Sequence, residues 1–140
     1  MIDQAKMDEV AKVTDGLALL EGAIGVPPLA LYDRVGSRAF ITAYHKFYGA
    51  ERAPTNEASN NYTMTYVIAT AMKLAGTTSN VAAIRAKMNE AISTLTPEQN
   101  AGDFSGINAK GGTEYNLLEA AAVEDGKVKP YSFKELLMLK

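Results

Sequence analysis

Residues 61–76 read Asn61-Tyr62-Thr63-Met64-Thr65-Tyr66-Val67-Ile68-Ala69-Thr70-Ala71-Met72-Lys73-Leu74-Ala75-Gly76. Lys73 is the only charged residue in this run. Tyr62, Met64, Tyr66, Val67, Ile68, Ala69, Ala71, Met72 and Leu74 would cover almost the whole girth of a helix. A helix that is apolar nearly all round must be enclosed on more than one side. A small free-standing domain rarely supplies that much cover. The expectation is therefore a buried helix from about Ser59 to Ala75, ended by Gly76, with missing chain or a partner packed against it.

Upstream, Phe40, Ile41, Tyr44, Phe47 and Tyr48 recur at i, i+1, i+4, i+7 and i+8, which is one face of a helix. Ser37 is its expected cap and Gly49 its stop. Glu51 to Asn60 is read as a polar loop containing Pro54. Asp3 to Val13 reads as a short helix broken at Asp15-Gly16, and Leu17 to Ile24 as a buried strand. Gly25-Val26-Pro27-Pro28 then forces an extended connection.

Downstream, Thr77-Thr78-Ser79 offers caps for a third helix to about Thr94, with Val81, Ile84, Met88, Ala91 and Ile92 as a narrow apolar stripe. Residues 96–112 are turn-rich, with at most a short strand at Phe104 to Ile107. Glu114 to Glu124 reads as a strand, and Asp125-Gly126 signals a type I′ hairpin. Lys127 to Lys129 is the expected return, stopped by Pro130. Ser132 then caps a terminal helical turn through Leu139.

The fold class predicted is thus α/β, with three main helices packed on a few strands. The strands are too few for a complete sheet. Residues 1–140 read as one incomplete unit. Helices and strand occupy about 17–95, crossover strands and hairpin about 96–130, and a C-terminal tail 131–140.

With 14 basic and 16 acidic residues well mixed, the formal charge is -2. Nothing draws such a chain to a phosphate backbone or an anionic membrane, so nucleic acid is not an expected partner. There is no cysteine, which removes disulfides, thiolate metal sites and thiol nucleophiles together. The single histidine, His45, stands on the predicted polar side of its helix without a carboxylate or second histidine nearby in sequence. A plain surface residue is the better reading. No G-x-S-x-G, H-E-x-x-H or P-loop spacing occurs. Gly111-Gly112 lacks the strand-to-helix setting of a phosphate loop. No catalytic residue, metal site or cofactor is assigned, and an enzyme is not expected.

Three stretches, in order, resemble the closing third of type I periplasmic solute-binding proteins, the branched-chain amino-acid-binding family. Phe40 through Tyr44 and Tyr48 to Gly49 resembles its aromatic-x-x-Y-x-x-x-Y-G helix end. Tyr62-Thr63-Met64, Ala71 through Gly76, and Ile84-Arg85 are similar to its Y-D-A, A-I-x-x-A-G and I-R landmarks. Val123-Glu124-Asp125-Gly126-Lys127 is similar to its late V-x-D-G-K hairpin. Thr63-Met64 departs from the usual Asp-Ala, and Ile107-Asn108 from the frequent Phe-Asp.

The resemblance implies part of a two-lobed fold in which ligand binds between lobes and hinge closure makes a shape that a membrane permease recognises. The implied role is the solute-binding component of an ABC importer for amino acids or related small molecules, present as a C-terminal fragment. The parent would be periplasmic or on the cell surface. Met1 to Lys6 shows no leader, so a signal peptide is expected in the parent. The start of the Tyr62 helix tends to face the cleft in that family, which makes Glu57, Asn61 and Tyr62 the ligand-binding candidates. The bland reading packs Tyr62 in the core and leaves the other two in solvent. Two alternatives for function stand beside the importer. One is a ligand-sensing regulator on the same fold; the other is a self-associating structural domain that uses the Tyr62–Leu74 helix as its interface.

Overall fold

The computed structural model describes residues 4–14, 16–27, 29–116 and 119–138. It is a mixed α/β arrangement. Helix α1 spans Gln4–Thr14, α2 Val35–Tyr48, α3 Asn56–Ala75, α4 Val81–Ala86, α5 Met88–Thr94 and α6 Phe133–Leu136. Strands β1 (Ile24–Gly25), β4 (Glu119–Glu124) and β5 (Lys127–Ser132) form one antiparallel sheet in the order β1-β4-β5. Strands β2 (Phe104–Ile107) and β3 (Thr113–Tyr115) form a second, two-stranded one.

Helix α3 organises the molecule. Its fully buried line, Ser59, Thr63, Val67 and Ala71, repeats every four residues, so one stripe of small side chains lets neighbours approach closely. On one flank Val67 and Ala71 pack with Ile84, Ala91, Ile92 and Phe104. On the other, Tyr62 joins Phe40, Leu29 and Ala101. The two-sided cover that the sequence demands is therefore supplied largely by the chain itself. This corrects the expectation that another chain or a missing segment must provide it. A third side, with Asn61, Thr65, Ile68, Ala69 and Lys73, is exposed. Three of those five residues are polar, and alanine is small. Counting apolar residues around the girth overstated how much surface needs burying.

Several expected boundaries shift, each for a local reason. Thr55 caps α3, its Oγ1 accepting from the Ala58 amide at 3.2 Å, so the helix starts three residues before Ser59. Ser37 is not a cap. It lies buried in the first turn of α2, its hydroxyl directed at the Ala101 carbonyl 3.5 Å away. Asn80 rather than Thr77-Thr78-Ser79 caps the next helix, accepting from the Ala83 amide at 3.1 Å. Thr77 instead closes the preceding turn by accepting from Ser79 and Asn80. The expected single helix to Thr94 is interrupted at Lys87.

The strand predicted over Leu17 to Ile24 is reduced to Ile24–Gly25, preceded by a 3-10 turn at Ala18–Leu20. Gly16 and Gly22 both take positive φ, which curls the segment and leaves Leu19 77% exposed. The predicted strand Glu114 to Glu124 is two strands in different sheets. Around Asn116 the chain leaves β2 for β1 and β5, and the Asn116 amide donates to the Asp103 carboxylate at 3.0 Å.

The hairpin is as expected. Asp125 and Gly126 have φ of 54° and 69°, both in the left-handed region that a type I′ turn needs. Pro130 does not stop the return strand but pairs opposite Ala121 within it. It is tolerated because β5 lies at the sheet edge. Ser132 and Glu135 cap α6 reciprocally: the carboxylate accepts from the Ser132 amide at 2.8 Å, and the Ser132 hydroxyl from the Glu135 amide at 3.3 Å. Leu139, the expected end of that turn, lies outside the described residues.

Candidate functional site

A cavity of about 210 Å³ opens between the first turn of α3 and the start of β4. That exceeds the ~10–15 Å³ a single water requires by a wide margin. Asn56, Ser59 and Asn60 line it from α3. Their i, i+3, i+4 spacing puts them on one helix face. Tyr32 and Arg34 enter from the segment leading into α2, and Tyr115 and Glu119 from the two sheets. Val26, Leu29 and Ala101 give it an apolar wall.

Arg34 is the hub. Its Nη1 lies 3.0 Å from Asp103 Oδ2, and its Nη2 2.8 Å from Glu119 Oε1. Its guanidinium carbon sits 4.6 Å from the Tyr32 ring centroid, within cation–π range. The contact with Glu119 is close but lacks hydrogen-bond alignment. Nε and Nη2 are buried with no hydrogen-bond acceptor. Asn56 complements this. Its Nδ2 donates to the Pro27 carbonyl at 3.0 Å, which sets the amide orientation and leaves Oδ1 buried without a donor. Such groups are uncommon in a folded interior, and each calls for a reason.

Burial, and then the Glu119 charge, push the Tyr32 hydroxyl up to about 12. It is neutral at physiological pH and can donate. At the other side Asn60 Nδ2 donates to the Tyr115 hydroxyl at 3.5 Å. Gly102 packs closely in the same wall: a Cβ there would stand 2.7 Å from Asn60 Oδ1 and 2.8 Å from the Phe104 ring. Thr63 secures this loop from beneath, its Oγ1 accepting from the Gly102 amide at 2.8 Å.

The residues singled out from sequence lie beside this cavity and do not line it. Glu57 and Asn61 are exposed on α3. Tyr62 is half-buried, its ring 5.1 Å from Phe40 and 5.0 Å from Tyr66. Burial, then the hydrogen bond with Tyr66, push its hydroxyl up to about 12. The three are not brought together. Moving the helix start from Ser59 to Asn56 would have pointed to Asn56, Ser59 and Asn60 by spacing alone. Nothing local marks Arg34 or Glu119, which meet across 85 residues of chain. His45 is half-buried against the Tyr44 ring at 6.4 Å.

A protein-family comparison matches residues 6–126 to the periplasmic binding protein family. The chain belongs to that family, in its type I, branched-chain amino-acid-binding branch. No curated protein and no solved structure matches the chain. Membership gives the general role, which is binding a small solute outside the cytoplasm for a transport system. Proteins of this family typically bind without transforming what they bind. It also removes the reading of an unrelated structural domain. Among the described residues no helix is long and apolar enough to cross a membrane.

Proposed function

We propose that this chain is the solute-binding component of an ABC importer for amino acids or related small molecules, and that the Arg34–Asn56 cavity holds part of the solute. One observation carries the reading: Arg34, whose buried Nε has no hydrogen-bond partner, and Asn56, whose buried Oδ1 has none, line a single cavity. Pockets that bind small polar solutes combine an apolar wall with a few convergent polar groups, and Val26, Leu29 and Ala101 supply the wall. The partner that takes the solute onward is a membrane permease. The exposed Glu57 and Asn61, each next in sequence to a lining residue of the same helix, would then border the cavity mouth, with Tyr62 as packing beneath.

Thermal unfolding of the purified chain against a panel of amino acids and their amides tests this. A saturable rise in Tm for at least one solute is expected, and it should be lost in Arg34→Met. A flat response across the panel at millimolar concentration sinks the proposal.

A second reading, self-association through the Tyr62–Leu74 helix, draws on the 38% exposure of both Ile68 and Leu74. Sedimentation equilibrium giving a monomer at high protein concentration removes it.

A further inference from the structure

Two apolar features of the fold are left uncovered, and neither belongs to the Arg34 cavity. The first is a groove of about 870 Å³ between α3 and the α4–α5 pair, closed on one side by the β2–β3 turn. Met64, Ile68 and Met72 line it from α3, Val81 and Ile84 from α4, and Met88 from α5. Spaced at i, i+4 and i+8, the three α3 residues share one face over about 12 Å. Methionine is unbranched and flexible, so a wall built from it adapts to an irregular partner. Arg85 is the one charged residue in this lining, and among the described residues no carboxylate pairs with it.

The second feature is α1. Its 11 residues fall short of the roughly 12–15 at which even alanine-rich helices begin to persist alone in water. Such a helix needs a surface to lie on, and its own chain supplies little. Among the described residues α1 packs extensively against no other element and joins neither apolar cluster. Val13 is 83% exposed. Glu9, also exposed, stands one turn before it on the same side of the helix. At roughly 16 Å, α1 spans the α3 wall of the groove.

Charge selects the occupant. Two such grooves set face to face would bring one Arg85 against another, whereas a helix bearing a carboxylate complements it. Building on the self-association reading above, we infer that α1 of one copy lies in the α3–α5 groove of a second copy, and reciprocally. Val13 enters among the methionines, and Glu9 lies beside Arg85. A two-fold dimer makes each of these contacts twice and covers both features at once. The groove shares no lining residue with the Arg34 cavity, so the inference stands apart from solute binding.

Sedimentation equilibrium combined with charge reversal tests it. The unaltered chain should show a reversible monomer–dimer equilibrium. A single exposed ion pair contributes little, so reversal, which sets like charges together, is more sensitive than deletion. Glu9→Arg alone and Arg85→Glu alone should each weaken the dimer about tenfold. Val13→Asp, which puts a charge among the methionines, should weaken it at least as much. All three positions are exposed, and circular dichroism checks that each variant folds. Glu9→Arg chains mixed with Arg85→Glu chains regain opposite charges at both contacts of the mixed dimer, and association should return close to the original. A dimer left as tight by any of the three single changes overturns the placement of α1 and leaves self-association through another surface. Weakening by both reversals with no recovery on mixing overturns it too. A monomer at high concentration of the unaltered chain overturns the inference and the self-association reading together.

Discussion

The hydroxyl of Thr63 accepts a hydrogen bond from the backbone amide of Gly102 at 2.8 Å, across 39 residues of sequence. Thr63 is fully buried, and Gly102 lines the candidate cavity. This bond ties the core to the loop that lines the site. Thr63 is also where the sequence departs from the Tyr-Asp-Ala pattern of its family. A threonine hydroxyl still supplies the acceptor that the loop requires, without placing a charge in the core.

Thr63→Val keeps the shape and removes the acceptor. The Gly102 amide would lose its partner, at a cost of about 1–3 kcal/mol. Urea unfolding should show that loss, with Thr63→Ser nearer to the original. A valine variant within about 0.5 kcal/mol of the original would show that the bond contributes little.

Gly36 sits buried in the first turn of α2, where alanine would ordinarily stabilise the helix by about 0.5–1 kcal/mol. Here the added Cβ would stand 2.5 Å from the Pro97 carbonyl oxygen and 2.8 Å from that of Asn100. Both contacts are with backbone, which cannot swing aside. The clash should outweigh propensity, and Gly36→Ala should destabilise by about 1–3 kcal/mol. A rise in Tm would mean that the turn at Pro97–Gln99 yields easily.

Arg34 joins the segment before α2 to Asp103 and to the first residue of β4. Arg34→Met would leave two carboxylates with no cation between them. A loss of about 1–3 kcal/mol follows from removing the charged partner of two largely buried carboxylates. Adding Glu119→Gln should restore part of it, because one of the two anions is then gone. A double-mutant cycle measures the coupling directly. Strict additivity of the two changes would show that the Arg34–Glu119 pair is energetically silent.

The hairpin carries a small charge network on its surface. The Tyr131 hydroxyl, and then Lys129, hold the Glu124 carboxyl below its ordinary 4.5. A depressed carboxylate contributes stability that is present above 4.5 and lost as pH falls through its lowered folded value. Lys129, raised from 10.5 by Asp125 and then Glu124, contributes below 10.5 and loses its contribution as pH rises through the raised value. NMR titration of the Glu124 carboxyl carbon should therefore give a midpoint under 4.5. That midpoint should move up in Tyr131→Phe, and by less in Lys129→Met. An unmoved midpoint in both would disprove the network.

Local chemistry made much of the architecture legible. The 3.6-residue recurrence from Phe40 to Tyr48 marks α2, whose last residue is followed by Gly49 at φ 95°. Asp125-Gly126 specifies its turn because few other pairs take two positive φ values so readily. Ser132 and Glu135 announce their own cap. The misjudged elements share a cause. Leu17 to Ile24 has strand-like composition, but among the described residues the ladder to β4 takes in only Ile24 and Gly25, with Gly22 and Ala23 bonding to Val123 just beyond it. Glu114 to Glu124 is continuous in sequence, yet its two halves pair with different partners. Pairing is not local information.

The same limit governs the site. Composition alone removed cysteine chemistry, and the ordered aromatic, A-G and D-G-K landmarks were enough to place the chain in its family. Side-chain period showed which face of each helix turns inward, because that depends only on residues a few positions apart. What the period could not say was how many flanks of α3 the chain would cover by itself. Tertiary packing decided that, and it alone set Arg34 between Asp103 and Glu119 and opened a cavity beside Asn56. The two ion pairs join residues 69 and 85 positions apart, and an ion pair over such a span leaves no repeat, spacing or propensity for a reader of the sequence to find.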